Sequence, residues 1–154
     1  MTGADAPTAA ENAVRLDSEE RIDRLIDVLE ELRTLDPDMP IQYALSFLTL
    51  SRHEGLSIRD LAERLGIAQS SASRNVAALS EWHSFRKPGH DLVQAKEDPR
   101  ERRRKIVTLT DRGRDLLARL DGLMRGEPPR GAMTVTRLAK DAAPAARRQA
   151  RQDG

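Results

Sequence analysis

The chain has no cysteine, and Tyr43, Phe47, Trp82 and Phe85 are its only aromatic residues. Without thiols there is no disulfide framework, no thiolate metal site and no thiol redox sensor. So few aromatics cannot line a deep aromatic cavity, and a core has to come from Leu, Ile, Val and Ala. No apolar run approaches the roughly 20 residues that span a bilayer. The opening "MTGADAPTAAEN" has neither the basic start nor the apolar stretch of a secretory signal, so a cytoplasmic location is expected. P-loops, nucleophile elbows and glycine-rich dinucleotide turns are missing; no catalytic residue is assigned and enzyme activity is not expected. His53, His83 and His90 form no i, i+4 pair that could grip a metal, and surface histidines are the plainer reading. Neither a metal nor a cofactor is expected.

Charge is what the sequence does have. One third of the residues are charged, and the net charge of +1 conceals an asymmetry. Residues 1–40 carry 4 basic and 11 acidic side chains, residues 41–124 carry 15 and 11, and residues 125–154 carry 7 and 3. The middle and the end are the segments suited to an anionic partner.

Periodicity divides the chain further. Residues 1–16 are small and polar and read as a disordered tail. Asp17 with Glu20 fits a capping box that starts a helix. Ile22, Leu25, Ile26, Leu29 and Leu32 recur on one face of it, suited to dimerisation, while acidic residues fill the other. Pro37 and Pro40 end this helix. "PIQYALSFLTLSRH" is apolar nearly all round and reads as the most buried helix, closed by Gly55. Ser57 and Asp60 form a second capping box before a short helix with Ile58, Leu61, Ala62 and Leu65 inside. Gly66 supplies a left-handed turn. A further helix runs from about Ala68 to Ser80, with Ala72, Val76 and Leu79 inward. "HSFRKPGHD" reads as loop, and Trp82 as an anchor seating that loop on the core. "LVQAKE" and "KIVTLT" read as two strands of a hairpin whose connection carries Arg100, Arg102, Arg103 and Arg104. Thr110 caps a last helix, stopped by Gly126, Pro128 and Pro129. Residues 127–154 are basic, rich in Ala and Pro, and read as mostly disordered.

This order defines a mainly α fold with a small β-hairpin, a winged helix-turn-helix over residues 17–126. A helix with a polar outward face fits the major groove of double-stranded DNA, where base edges display donors and acceptors. Gln69 and Arg74 are the candidate readers, with Ser70, Ser71 and Ser73 short enough for close approach. The hairpin arginines suit a neighbouring minor groove, whose narrow A·T-rich stretches attract inserted arginine. Arg86 and Lys87 are candidate phosphate contacts. Arg130, Arg137, Lys140, Arg147, Arg148 and Arg151 of the tail are either nonspecific phosphate contacts or an inert solvated stretch.

"LSIRDLAERLGIAQSSASRNVAALSE" followed by "EDPRERRRKIVTLTDRGRDLL" resembles the MarR family of bacterial transcription regulators, over roughly residues 38–120. The resemblance implies a homodimeric regulator, most often a repressor, on a pseudo-palindromic operator. It implies that Arg103 enters the minor groove, braced by Glu101 or Asp98. It also implies a small-molecule effector in many members, although a chain so poor in aromatics and lacking cysteine suits a phenol or peroxide signal badly. Three departures stand out. Ala68 replaces the usual Ser or Thr cap of the recognition helix. The link from Leu79 to Leu92 is long, in the manner of phage or mobile-element variants. The last helix is short. A winged-helix protein-interaction or replication-accessory module, docking a partner through its acidic first helix, is the alternative reading.

Overall fold

The computed structural model describes residues 8–83 and 87–130, with side chains of residues 9–16 and 83 excepted. Helix α1 spans Ala9–Leu35, α2 Ile41–Arg52, α3 Ile58–Leu65 and α4 Gln69–Leu79. Strands β1 (Trp82–His83) and β2 (Lys87–Pro88) precede the longer β3 (Val93–Glu97) and β4 (Lys105–Leu109), and α5 (Asp111–Met124) follows. The chain divides into two compact units. One runs from Leu32 to Leu120; the other takes the described residues up to Glu31 and those from Asp121 onward.

Helix α1 starts at Ala9, inside the stretch expected to be disordered. The segment "AAENAVRL" consists largely of good helix formers, so no cap is needed at Asp17. Asp17 lies within the helix, where its carboxylate pairs with Arg21 at 2.7 Å, one turn on. Ile22, Leu25 and Leu29 are exposed along one side. Ile26 is half-buried, and Val28 and Leu32 are buried. The expected dimerisation stripe is thus split: Leu32 is committed to the interior, because the stretch from residue 28 to 32 turns its apolar positions inward. At the far end, Arg24 donates to the Met124 carbonyl at 3.2 Å, and Gly126 closes α5 in a left-handed conformation (φ 85°).

In the Leu32–Leu120 unit, α2 packs against α3, α4 and β4. Phe47, Leu50, Leu61, Leu79, Leu92, Val93, Val107 and Leu116 are almost wholly buried. Helix α2 is not apolar on every side that matters: Ile41 and Leu45 stay exposed, four residues apart on one face. Strands β3 and β4 pair antiparallel, with Val93 opposite Leu109 and Glu97 opposite Lys105. The other edge of β4 is also held: the Gly55 amide donates to the Val107 carbonyl at 3.0 Å, and the Val107 amide to the Leu56 carbonyl at 2.8 Å. Thr110 caps α5 as expected, accepting from the Gly113 amide and donating to the Asp91 carbonyl.

Candidate nucleic-acid interface

The helix-turn-helix is built locally. The Ser57 hydroxyl accepts from the Asp60 amide, and the Asp60 carboxylate accepts in turn from the Ser57 amide, closing both ends of a capping box. Gly66 ends α3 in the left-handed region (φ 64°, ψ 35°), where any side chain would be strained. The Ile67 amide then bonds back to Ala62, so the chain reverses within two residues of α3. Ala68 provides no side-chain cap to α4. On α4, Ala72, Asn75, Val76 and Leu79 point inward; Gln69, Ser70, Ser73 and Arg74 are exposed, and Ser71 is half-buried. Ser71 therefore lies at the margin of the exposed face, since its position falls beside Ala72 and Asn75 rather than opposite them.

Asn75 is the residue the periodicity does not single out. Its side-chain amide donates to the Ser46 hydroxyl at 3.0 Å, with both side chains buried. A buried polar pair has to be satisfied internally, so this bond fixes the rotation of α4 on α2. The signal is present as an Asn on the apolar side of a helix.

The wing has a defined tip. Within 98–104 the Asp98 amide donates to the Arg104 carbonyl (2.8 Å), the Glu101 amide to the Asp98 carbonyl (3.2 Å) and the Arg104 amide to the Glu101 carbonyl (2.9 Å). The Asp98 carboxylate accepts from the Arg100 amide at 2.9 Å. Asp98 thus caps the turn, as a short acidic side chain two residues ahead of a free amide readily does. Neither it nor Glu101 forms an ion pair with a wing arginine among the described residues, which differs from the bracing expected of them. Arg104, one of the hairpin arginines expected to face DNA, instead reaches Asp60 of α3 with its guanidinium at 2.5 Å. Arg100, Arg102 and Arg103 are exposed, and their side chains bond to no described residue. An open cleft of about 570 Å³ lies between α3, the first residue of α4 and the wing, lined by Gln69, Arg59, Glu101, Arg103 and the Asp60–Arg104 pair.

Two carboxylates root the wing. The Leu109 amide, more than any other partner, holds Glu54 below its ordinary acidity range; desolvation opposes this and Arg114 reinforces it. The Leu109 amide donates to Glu54 at 3.0 Å, and Arg114 sits 3.0 Å away. Asp60 is likewise lowered, chiefly by the Ser57 hydroxyl and amide, with Arg104 adding to the effect. For a carboxylate lowered in the folded state, the contribution to stability is complete above the unfolded value of about 4. It fades as pH falls through the folded value. Thermal melts between about pH 5 and pH 3 should therefore show the native chain losing more stability than Glu54→Gln.

The long link after α4 is not plain loop. β1 and β2 pair, with Trp82 opposite Pro88 and His83 opposite Lys87. Trp82 is 65% exposed, so it does not seat the link on the core as expected. Lys87 is exposed; Arg86 lies outside the described residues, as do Arg137, Lys140, Arg147, Arg148 and Arg151. Beyond the hairpin, main-chain bonds join the end of α4 to the start of the wing. The Gly89 amide donates to Glu81 (2.8 Å), His90 to Ala78 (3.0 Å), Asp91 to Ser80 (3.2 Å) and Leu92 to Leu79 (2.7 Å). The His90 ring also lies 3.6 Å from Asp36.

Two helices joined by a tight turn, followed by a hairpin with an arginine-rich tip, define a winged helix-turn-helix. Residues 38–82 match the family model described as MarR family. No curated protein matches the chain in sequence. Among solved structures, the chain is similar to Rv1404 from Mycobacterium tuberculosis, with 21% identity, TM-score 0.55, and 98% of this chain and 92% of that one covered. It is also similar to S. aureus MepR in its complex with DNA, with 17% identity, TM-score 0.54, and coverage of 92% and 98%. A point mutant of MepR bound to an oligodeoxyribonucleotide aligns at 20% identity and TM-score 0.55, covering 78% of this chain and 79% of that one. At such identities the likeness is one of fold. Among the described residues, no helix is long and apolar enough to cross a membrane.

Proposed function

We propose that the protein binds double-stranded DNA sequence-specifically as a homodimeric transcription regulator, acting as a repressor. The observation that carries this reading is the pairing of two exposed surfaces in one unit. The face of α4 with Gln69, Ser70, Ser73 and Arg74 has the width and chemistry of a major-groove reader. Arg103 at the wing tip projects with no partner among the described residues to hold it back, as an arginine destined for a narrow minor groove must. Arg100, Arg102 and Lys87 supply phosphate contacts, which add affinity without sequence information. The MepR complexes with DNA lend support by fold. The exposed row Ile22, Leu25 and Leu29 on α1 is the surface proposed to pair with a second copy.

Selection of duplexes from a random pool, followed by binding measurements against a scrambled duplex, tests the reading. Arg103→Ala is expected to weaken binding to the selected duplex by about 1–3 kcal/mol at physiological salt while leaving the melting temperature unchanged. Failure to enrich any sequence would instead favour a protein-docking winged helix.

A further inference from the structure

Four arginines crowd the wing tip, and the structure does not treat them alike. Arg104 alone is drawn back to the body of the protein. The atom that receives it is already occupied: Asp60 Oδ2 accepts from the Ser57 amide at 3.1 Å and the Ser57 hydroxyl at 2.7 Å, and Arg104 Nη2 approaches the same oxygen at 2.5 Å. The residue that completes the capping box of α3 is therefore also the one that holds the wing tip, 44 positions further along the chain. The base of the wing is separately rooted, through the Leu56–Val107 bridge and Glu54. A hairpin fixed only at its base can swing about that base. The Asp60–Arg104 tie joins the tip to α3 and opposes such a swing, and Gln69 and Arg103 line the cleft on its two sides.

We infer that Asp60 and Arg104 are positioning residues that set the separation between the recognition helix and the inserting Arg103, so that Arg104 serves DNA binding without touching DNA. This rests on the DNA-binding reading above. It makes an unusual demand. Removing the negative charge of Asp60 from a DNA-facing cleft should, on electrostatics alone, tighten binding. If Asp60 holds the wing, the same change should weaken it. A phosphate contact by Arg104 has a different signature, because each one lost lowers the salt dependence of binding by about one in log–log slope.

The test compares Asp60→Asn, Arg104→Ala and the double variant with the full native chain. Asn at position 60 retains an acceptor for the Ser57 bonds, and Arg104→Ala leaves the cap untouched, so one variant keeps the fold if the other does not. Hydrogen exchange is measured without DNA at the Asp98, Glu101 and Arg104 amides, and binding to the pool-selected duplex is measured across a salt series. Both single variants are expected to speed exchange at the tip and to lose about two- to fivefold in affinity, the range of a partly exposed ion pair. The salt slope should stay unchanged, and the double variant should be no weaker than either single one. Unchanged exchange at the tip, tighter binding by Asp60→Asn, or a slope lowered by about one in Arg104→Ala would each overturn the assignment. If the native chain enriches no duplex, the DNA-binding reading fails by itself, and tip exchange alone then decides whether the tie holds the wing.

Discussion

The Phe47→Ala protein should unfold at a much lower urea concentration than the native chain, with a loss of about 3–5 kcal/mol. Phe47 is the one buried aromatic among the described residues; Tyr43 is half-buried and Trp82 exposed. It lies on α2, the helix that α3, α4 and β4 all pack against. The buried side chains of those elements are mostly aliphatic, and closing the void would mean moving whole helices, so the lost contacts are not recovered by local collapse. Against a total stability of about 5–15 kcal/mol for a typical domain, such a loss brings the Leu32–Leu120 unit near its folding limit. Urea titration followed by helix content measures it, and a midpoint within error of the native one would contradict this account of the core.

Gly89→Ala is the second large effect. A Cβ at this position would stand 1.8 Å from the Ser80 carbonyl oxygen and 2.9 Å from that of Ala78. Both obstacles are main chain, so no rotamer change relieves them. Gly89 is here for close approach, and it begins a run of four backbone bonds to residues 78–81. Adding one methyl has to break part of that ladder or displace the end of α4. A cost of about 3 kcal/mol, the upper part of the range for overpacking, is expected. Crystallography or amide exchange at His90 and Leu92 would locate the damage, and a thermal midpoint equal to the native one would show that the backbone can yield.

These two residues also mark how far the sequence can be read. Phe47 is legible as part of an apolar helix, because burial follows periodicity. The helix-turn-helix is legible for the same local reasons: Ser57 and Asp60 three apart, Gly66 at the turn, and Ala72, Val76 and Leu79 on one side. The wing strands show in their composition. Gly89 carries no such signal, because its neighbour is a carbonyl brought in by tertiary folding. The ties from Glu54 to Leu109 and from Asp60 to Arg104 span 55 and 44 positions, and no local pattern reports on a pair so distant. The two-residue strands β1 and β2 are too short to show alternation, so Trp82 reads as an anchor in the sequence and stands exposed in the fold. The early start of α1 escapes notice because small residues suit a helix and a disordered tail alike. Nothing local in the sequence tells Arg104 from Arg103; only the ion pair with Asp60 sets it apart.

The ladder from Gly89 through Leu92 joins the end of α4 to the start of the wing through amides and carbonyls, which nearly every residue type possesses. The mutual placement of α4 and the wing therefore depends little on which side chains the outward face of α4 carries. On the proposed DNA-binding reading, Gln69, Ser70, Ser73 and Arg74 form a cassette on a fixed mount, and new preferences among partners can evolve, or be engineered, by substitution at these four exposed positions without rebuilding the scaffold behind them.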